Sequence, residues 1–147
     1  MNLLHVLLSV HAVSTLMMTG LIWTIQLVHY PLFSRVGADA FRDYERQHQR
    51  RITWLVAPLM LIEAVSAAML VVLLESGGVR MLAVGGVLLL LVIWGSTALL
   101  QAPCHTRLSR GFDRELVRRL VSTNWIRTVA WSIRGVLAVT LFQAVPQ

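Results

Sequence analysis

The sequence predicts an all-α integral membrane protein: an up-down four-helix bundle formed by one domain over residues 1–147. A finer reading, two repeated helical hairpins, is left open. Three observations lead there. The chain is 56% hydrophobic and only 14% charged, with a mean hydropathy of +0.69, more apolar surface than a soluble core of this size could hide. Four segments reach about 20 apolar residues, the length that crosses a hydrocarbon layer of roughly 30 Å. The arginines gather mainly between those segments.

The first segment, residues 3–28, lacks the basic start and small-residue cleavage pattern of a secretory signal, so it reads as a span. The second and third, residues 52–74 and 79–102, are separated by a four-residue turn at 75–78 and should be antiparallel neighbours. The fourth covers residues 123–145. Residues 39–50 and 113–122 carry apolar side chains at helical spacing, with no glycine or proline between Phe41 and Ile52 or between Phe112 and Ile126. They are expected to extend the second and fourth helices beyond the bilayer.

All 13 basic residues are arginine. One long loop holds Arg35, Arg42, Arg46, Arg50 and Arg51, and the other holds Arg107, Arg110, Arg114, Arg118 and Arg119. Only Arg80 lies near the short turn. The positive-inside rule places both long loops in the cytoplasm and both termini outside. Topology also accounts for the pI near 11.3, so no nucleic-acid partner is expected. Cys104 is the only cysteine, which excludes an intrachain disulfide.

The halves share a pattern. Pro31 matches Pro103, Arg35 matches Arg107, and His48-x-x-Arg51 matches Asn124-x-x-Arg127. If the chain is duplicated, the halves are related by an axis along the membrane normal. Chance agreement between two arginine-rich loops stands beside that reading.

In an up-down bundle the ends of spans one and three share a face with the starts of spans two and four. That gathers His29, Tyr30, Glu45, His48, Arg51, Gln101, Cys104, His105, Asn124 and Arg127. All five tryptophans fall in the cytoplasmic half of their spans, so some are expected either to line a cavity or to anchor one lipid interface. Glu45-x-x-His48 is half of a carboxylate-bridged metal site, because residues three apart share a helical face. No second Glu-x-x-His exists, which disfavours a dinuclear centre. His29, Glu45, His48 and His105 are instead the candidate ligands of one transition metal or a haem. The plain alternative is interfacial histidines that ligate nothing.

Counted from Ile52 and Thr123, Glu63 and Arg134 both lie 11 residues into their spans and so reach similar depth. A buried pair is expected, since an unpaired charge in hydrocarbon costs several kcal/mol. His11 and His29 are 18 residues apart, five helical turns, and are expected on one face with Thr15, Ile22 and Gln26. Their separation of roughly 27 Å forbids one shared cofactor.

The segment "QAPCHTRLSRGF…LVSTNWIRTVAW" resembles the small four-helix membrane family that includes the anthrone oxygenases. In that family the third span ends in Pro-x-Asn-x-x-Leu and the fourth opens with Asn-x-x-Arg. Pro103, Leu108, Asn124 and Arg127 match, "HYP" at residues 29–31 resembles the family's first exit, and His105 stands where asparagine is usual. A more distant likeness is to the four-helix bacterial membrane protoporphyrinogen oxidase. The lysine used there has no counterpart here, which argues against that activity while leaving haem open. The resemblance implies oxidation of a hydrophobic small molecule by an oxidoreductase or oxygenase in a bacterial cytoplasmic membrane. His105, His48, Arg127 and Asn124 are the candidate catalytic residues, with Arg51, Trp125 and Gln101 as candidate cofactor contacts. Expected partners are membrane lipid and the hydrophobic substrate, with homo-oligomers left open. The competing reading is a non-catalytic accessory, chaperone or small-transport module.

Overall fold

A computed structural model describes residues 2–75 and 77–146. Four long helical elements run through it: α1 (Leu3–Arg35), α2 (Ala38–Leu73), α3 (Gly78–Leu108) and α4 (Arg114–Ala144), and no strand occurs among the described residues. All four are long and apolar enough to cross a membrane. Each packs on two neighbours, α1 on α2 and α4, and α3 on α2 and α4. The expected extensions are present, for α2 and α4 run unbroken from the charged segments into the apolar ones.

Local chemistry sets the ends. Asn2 caps α1 by accepting from the His5 amide at 3.0 Å, and Asp113 caps α4 by accepting from the Glu115 and Leu116 amides. Gly77, at φ +139°, makes the reversal into α3 that a side chain would resist.

Both α1 and α3 widen into a π turn, at Ile25–His29 and at Thr97–Gln101, two residues before Pro31 and Pro103. A proline has no N–H for the carbonyl four residues back, and its ring crowds that carbonyl. The residue before each proline bonds one position further back instead, Tyr30 N–H to Ile25 O and Ala102 N–H to Thr97 O. The two halves therefore share a backbone device as well as a sequence pattern. The widening also slips the inward face by one residue. Ile22 points into the bundle above the turn, Gln26 within it, and Tyr30 and Phe33 below it. His29 is thereby turned off the stripe of His11, Thr15 and Gln26 on which helical periodicity placed it, and is only half-buried.

Two apolar clusters fill the bundle. One contains Phe33, Phe41, Leu108, Leu120 and Trp131, and the other Leu8, Leu70, Leu74, Ala83 and Leu141. Between them lies a polar layer. Glu63 accepts from Arg134 Nε at 2.9 Å and from Trp131 Nε1 at 3.1 Å, while Arg134 Nη1 also donates to the Gly86 carbonyl. Arg134 Nη2 lies 2.9 Å from Glu63 Oε1 and completes the ion pair. The pair expected from depth is formed, and His11 joins the layer through Ser66 at 2.9 Å.

Gly135 lets α1 and α4 approach closely. A Cβ there would meet Thr19 Oγ1 at 3.2 Å, and that hydroxyl lies 3.0 Å from the Trp131 carbonyl. Gly135→Leu should destabilise the protein by about 1–3 kcal/mol through overpacking. Gly20→Leu, at a position where an added Cβ meets nothing within 4 Å, should not lower the thermal midpoint in detergent micelles. Equal melting of the two variants would contradict the close packing.

Candidate functional site

Where the two proline-bearing ends meet the start of α2, a hydrogen-bonded network forms. His105 on α3 is its hub: Nδ1 lies 2.6 Å from Glu45 Oε1 and Nε2 lies 2.9 Å from the Tyr30 hydroxyl. Gln49, one turn beyond Glu45, donates to Glu45 Oε1 and to the His105 carbonyl, each at 3.0 Å. With Glu45 as the carboxylate, which can only accept, the hydrogen-bond pattern assigns the His105 proton to Nδ1 and leaves Nε2 to accept from Tyr30. Beside this chain, His29 Nε2 and His48 Nδ1 are 2.8 Å apart, with the Phe33 ring edge-on to both imidazoles.

Glu45 and His48 are both buried, but they do not converge. Three residues along a helix leave about 60° between side chains. That angle sends Glu45 to α3 and His48 to α1. Both ring nitrogens of His105 are engaged, and among the described residues no three His, Cys, Asp or Glu side chains are grouped to hold a metal. The expected ligand set of His29, Glu45, His48 and His105 is thus present as neighbours linked to one another. Two buried atoms in it lack partners, Glu45 Oε2 and His48 Nε2.

A cavity of about 320 Å³ opens between α2 and α3. Tyr30, His105, Gln101 and Arg127 face it over an apolar floor that includes Val56 and Met60. Arg127 is its most telling wall. The side chain is only 6% exposed, and among the described residues its Nε has no partner and no carboxylate stands within 4.0 Å. Its guanidinium lies 5.3 Å from the Trp131 ring centroid. A buried guanidinium without an acid is costly unless something anionic, or an oxygen carrying developing charge, shares the site. A second, more open groove of about 720 Å³ lies between α1 and α2, against His29, His48 and Arg51. Ile25 and Ile52 line both spaces and part them.

The remaining candidates are dispersed. Asn124 is fully buried but turns to α1, donating to Gln26 Oε1 at 2.9 Å. Gln101 accepts from Ser96 and donates to Thr123. Arg51 is exposed in the α1–α2 groove. Trp125 lies on the outer surface, edge-on to Trp23 at 5.6 Å, and of the five tryptophans only Trp131 is buried. Cys104 packs in the core. Sequence reasoning gathered Tyr30 but gave it no role, and it missed Gln49, whose signal was its position four residues after Glu45. Gln26 also holds Val121 and Thr128, so Gln26→Leu should cost about 2–3 kcal/mol by stranding Asn124 and its neighbours. A thermal melt unchanged from the parent would refute that role.

Comparison with protein-family models, with curated proteins and with solved structures found no match to this chain.

Proposed function

We propose that the protein is an integral-membrane oxidoreductase of the oxygenase type, with acid–base chemistry in the α2–α3 cavity. The observation that carries this is the sharing of one cavity by an acid-free buried Arg127 and the Tyr30–His105–Glu45 chain. The likeness of residues 101–131 to the anthrone oxygenases supports it, as does an outer surface apolar enough for hydrocarbon, with Leu99, Val72 and Met81 more than 70% exposed.

The substrate is a hydrophobic small molecule with an acidic CH₂ beside a carbonyl. Its carbonyl oxygen faces Arg127, which stabilises the enolate formed on deprotonation. Tyr30 takes the carbon-bound proton while passing its own to His105 Nε2, and Glu45 holds the resulting imidazolium. Dioxygen is the oxidant: it accepts the carbanion's electrons, a C–O bond forms, and loss of one water leaves a second carbonyl in place of the CH₂. The long loops and this cavity lie on the cytoplasmic side in the orientation set by the arginines.

The test is wash-out of deuterium from the acidic carbon of a lipophilic ketone, measured with detergent-purified protein before oxygen is admitted. Exchange above the protein-free rate supports the reading, and no exchange across a panel of such ketones removes it.

A further inference from the structure

Outside the network, α1 and α4 enclose a groove of about 740 Å³ at the end of the bundle where the proline exits lie. Arg35, Arg114 and Arg118 stand around it with Ser34 and Ser122, and Pro31, Val117, Val121 and Trp125 form its apolar side. Arg118 is 3.4 Å from Glu115 in a fully surface-exposed pair, while Arg35 and Arg114 have no acidic partner among the described residues. Among the described residues the groove therefore presents two uncommitted guanidiniums and no carboxylate on its walls. Its apolar side runs into the Trp125–Trp23 pair, whose rings are 42% and 38% exposed on the outer surface.

We infer that this groove binds the headgroup of an anionic phospholipid, with phosphate oxygens on Arg35 and Arg114 and an acyl chain along Trp125 and Trp23. Guanidinium forks match phosphate oxygens bidentately, whereas the hydroxyls of Ser34 and Ser122 already donate to the Pro31 and Arg119 carbonyls and leave the anion to the arginines. The continuity of cationic wall and exposed indole favours a lipid over free phosphate: a soluble anion would gain nothing from the tryptophans, whereas an acyl chain would cover them. The site is separate from the α2–α3 cavity and needs none of its residues. It rests only on the membrane placement of the helices.

The experiment uses full-length protein carrying Trp54→Phe and Trp94→Phe, reconstituted in vesicles with brominated acyl chains that quench indoles on contact. Phosphatidylglycerol should quench Trp23 and Trp125 at lower mole fraction than phosphatidylcholine, by roughly fivefold for each arginine engaged. Arg35→Gln with Arg114→Gln should remove that preference, and the same pair changed to lysine should keep most of it. Equal quenching by the two lipids in the parent overturns the headgroup site while leaving the membrane placement intact. Quenching by neither overturns both. Competition by inorganic phosphate as effective as that by unbrominated phosphatidylglycerol would make the groove a free-anion site and overturn the lipid assignment.

Discussion

Glu63→Leu should destabilise the protein by about 3–5 kcal/mol, the loss expected when one partner of a buried ion pair is removed. Arg134 would be stranded at 2% exposure in the middle of the bundle, and the Trp131 N–H would lose its Glu63 acceptor. The surroundings of the pair sharpen the test. Exchanging the residues as Glu63→Arg with Arg134→Glu should recover little, because the new carboxylate would face the Gly86 carbonyl and the new guanidinium the Trp131 N–H. Removing both charges as Glu63→Leu with Arg134→Leu should recover part of the loss, since a packed apolar pair carries no charge-desolvation cost while the Trp131 N–H stays without its Glu63 acceptor. Thermal unfolding in micelles reads all three variants. Full rescue by the exchange would show that the flanking hydrogen bonds contribute nothing.

His105→Asn should lower turnover about 10²–10⁴-fold, the usual contribution of a positioned acid–base group. Asparagine is too short to link Glu45 Oε1 with the Tyr30 hydroxyl, which the imidazole bridges at 2.6 and 2.9 Å. Tyr30→Phe should show a similar fall with the fold intact, since it deletes one hydroxyl from a packed ring. Arg127→Gln should instead raise KM as well as lower kcat, because Arg127 is assigned to the substrate oxygen in both ground and transition states. The deuterium wash-out rate provides the readout. Full exchange by His105→Asn would place the chemistry elsewhere, with the α1–α2 groove beside His29 and His48 the next place to look.

Much of this was legible in particular residues. The span lengths, the short turn at 75–78 and the proline exits determined four helices, and two charges at equal depth determined a buried pair. Topology then gathered Tyr30, Glu45, His48, His105 and Arg127 at one end. Their partners were not legible. Glu45 and His48 looked like joint ligands because helical spacing reports a shared face and not the 60° between neighbouring side chains. His29 looked coaxial with His11 because a uniform helical period takes no account of the π turn forced by Pro31.

Hydrophobic length and charge placement act locally along the chain, so the sequence alone determined which segments are helical, which ends share a face and which groups need partners. Rotation about each helix axis is set by packing against the other three. Only the tertiary structure therefore decided that His105 bridges Glu45 and Tyr30, that Asn124 turns to Gln26, and that Arg127 faces a cavity with no acid beside it.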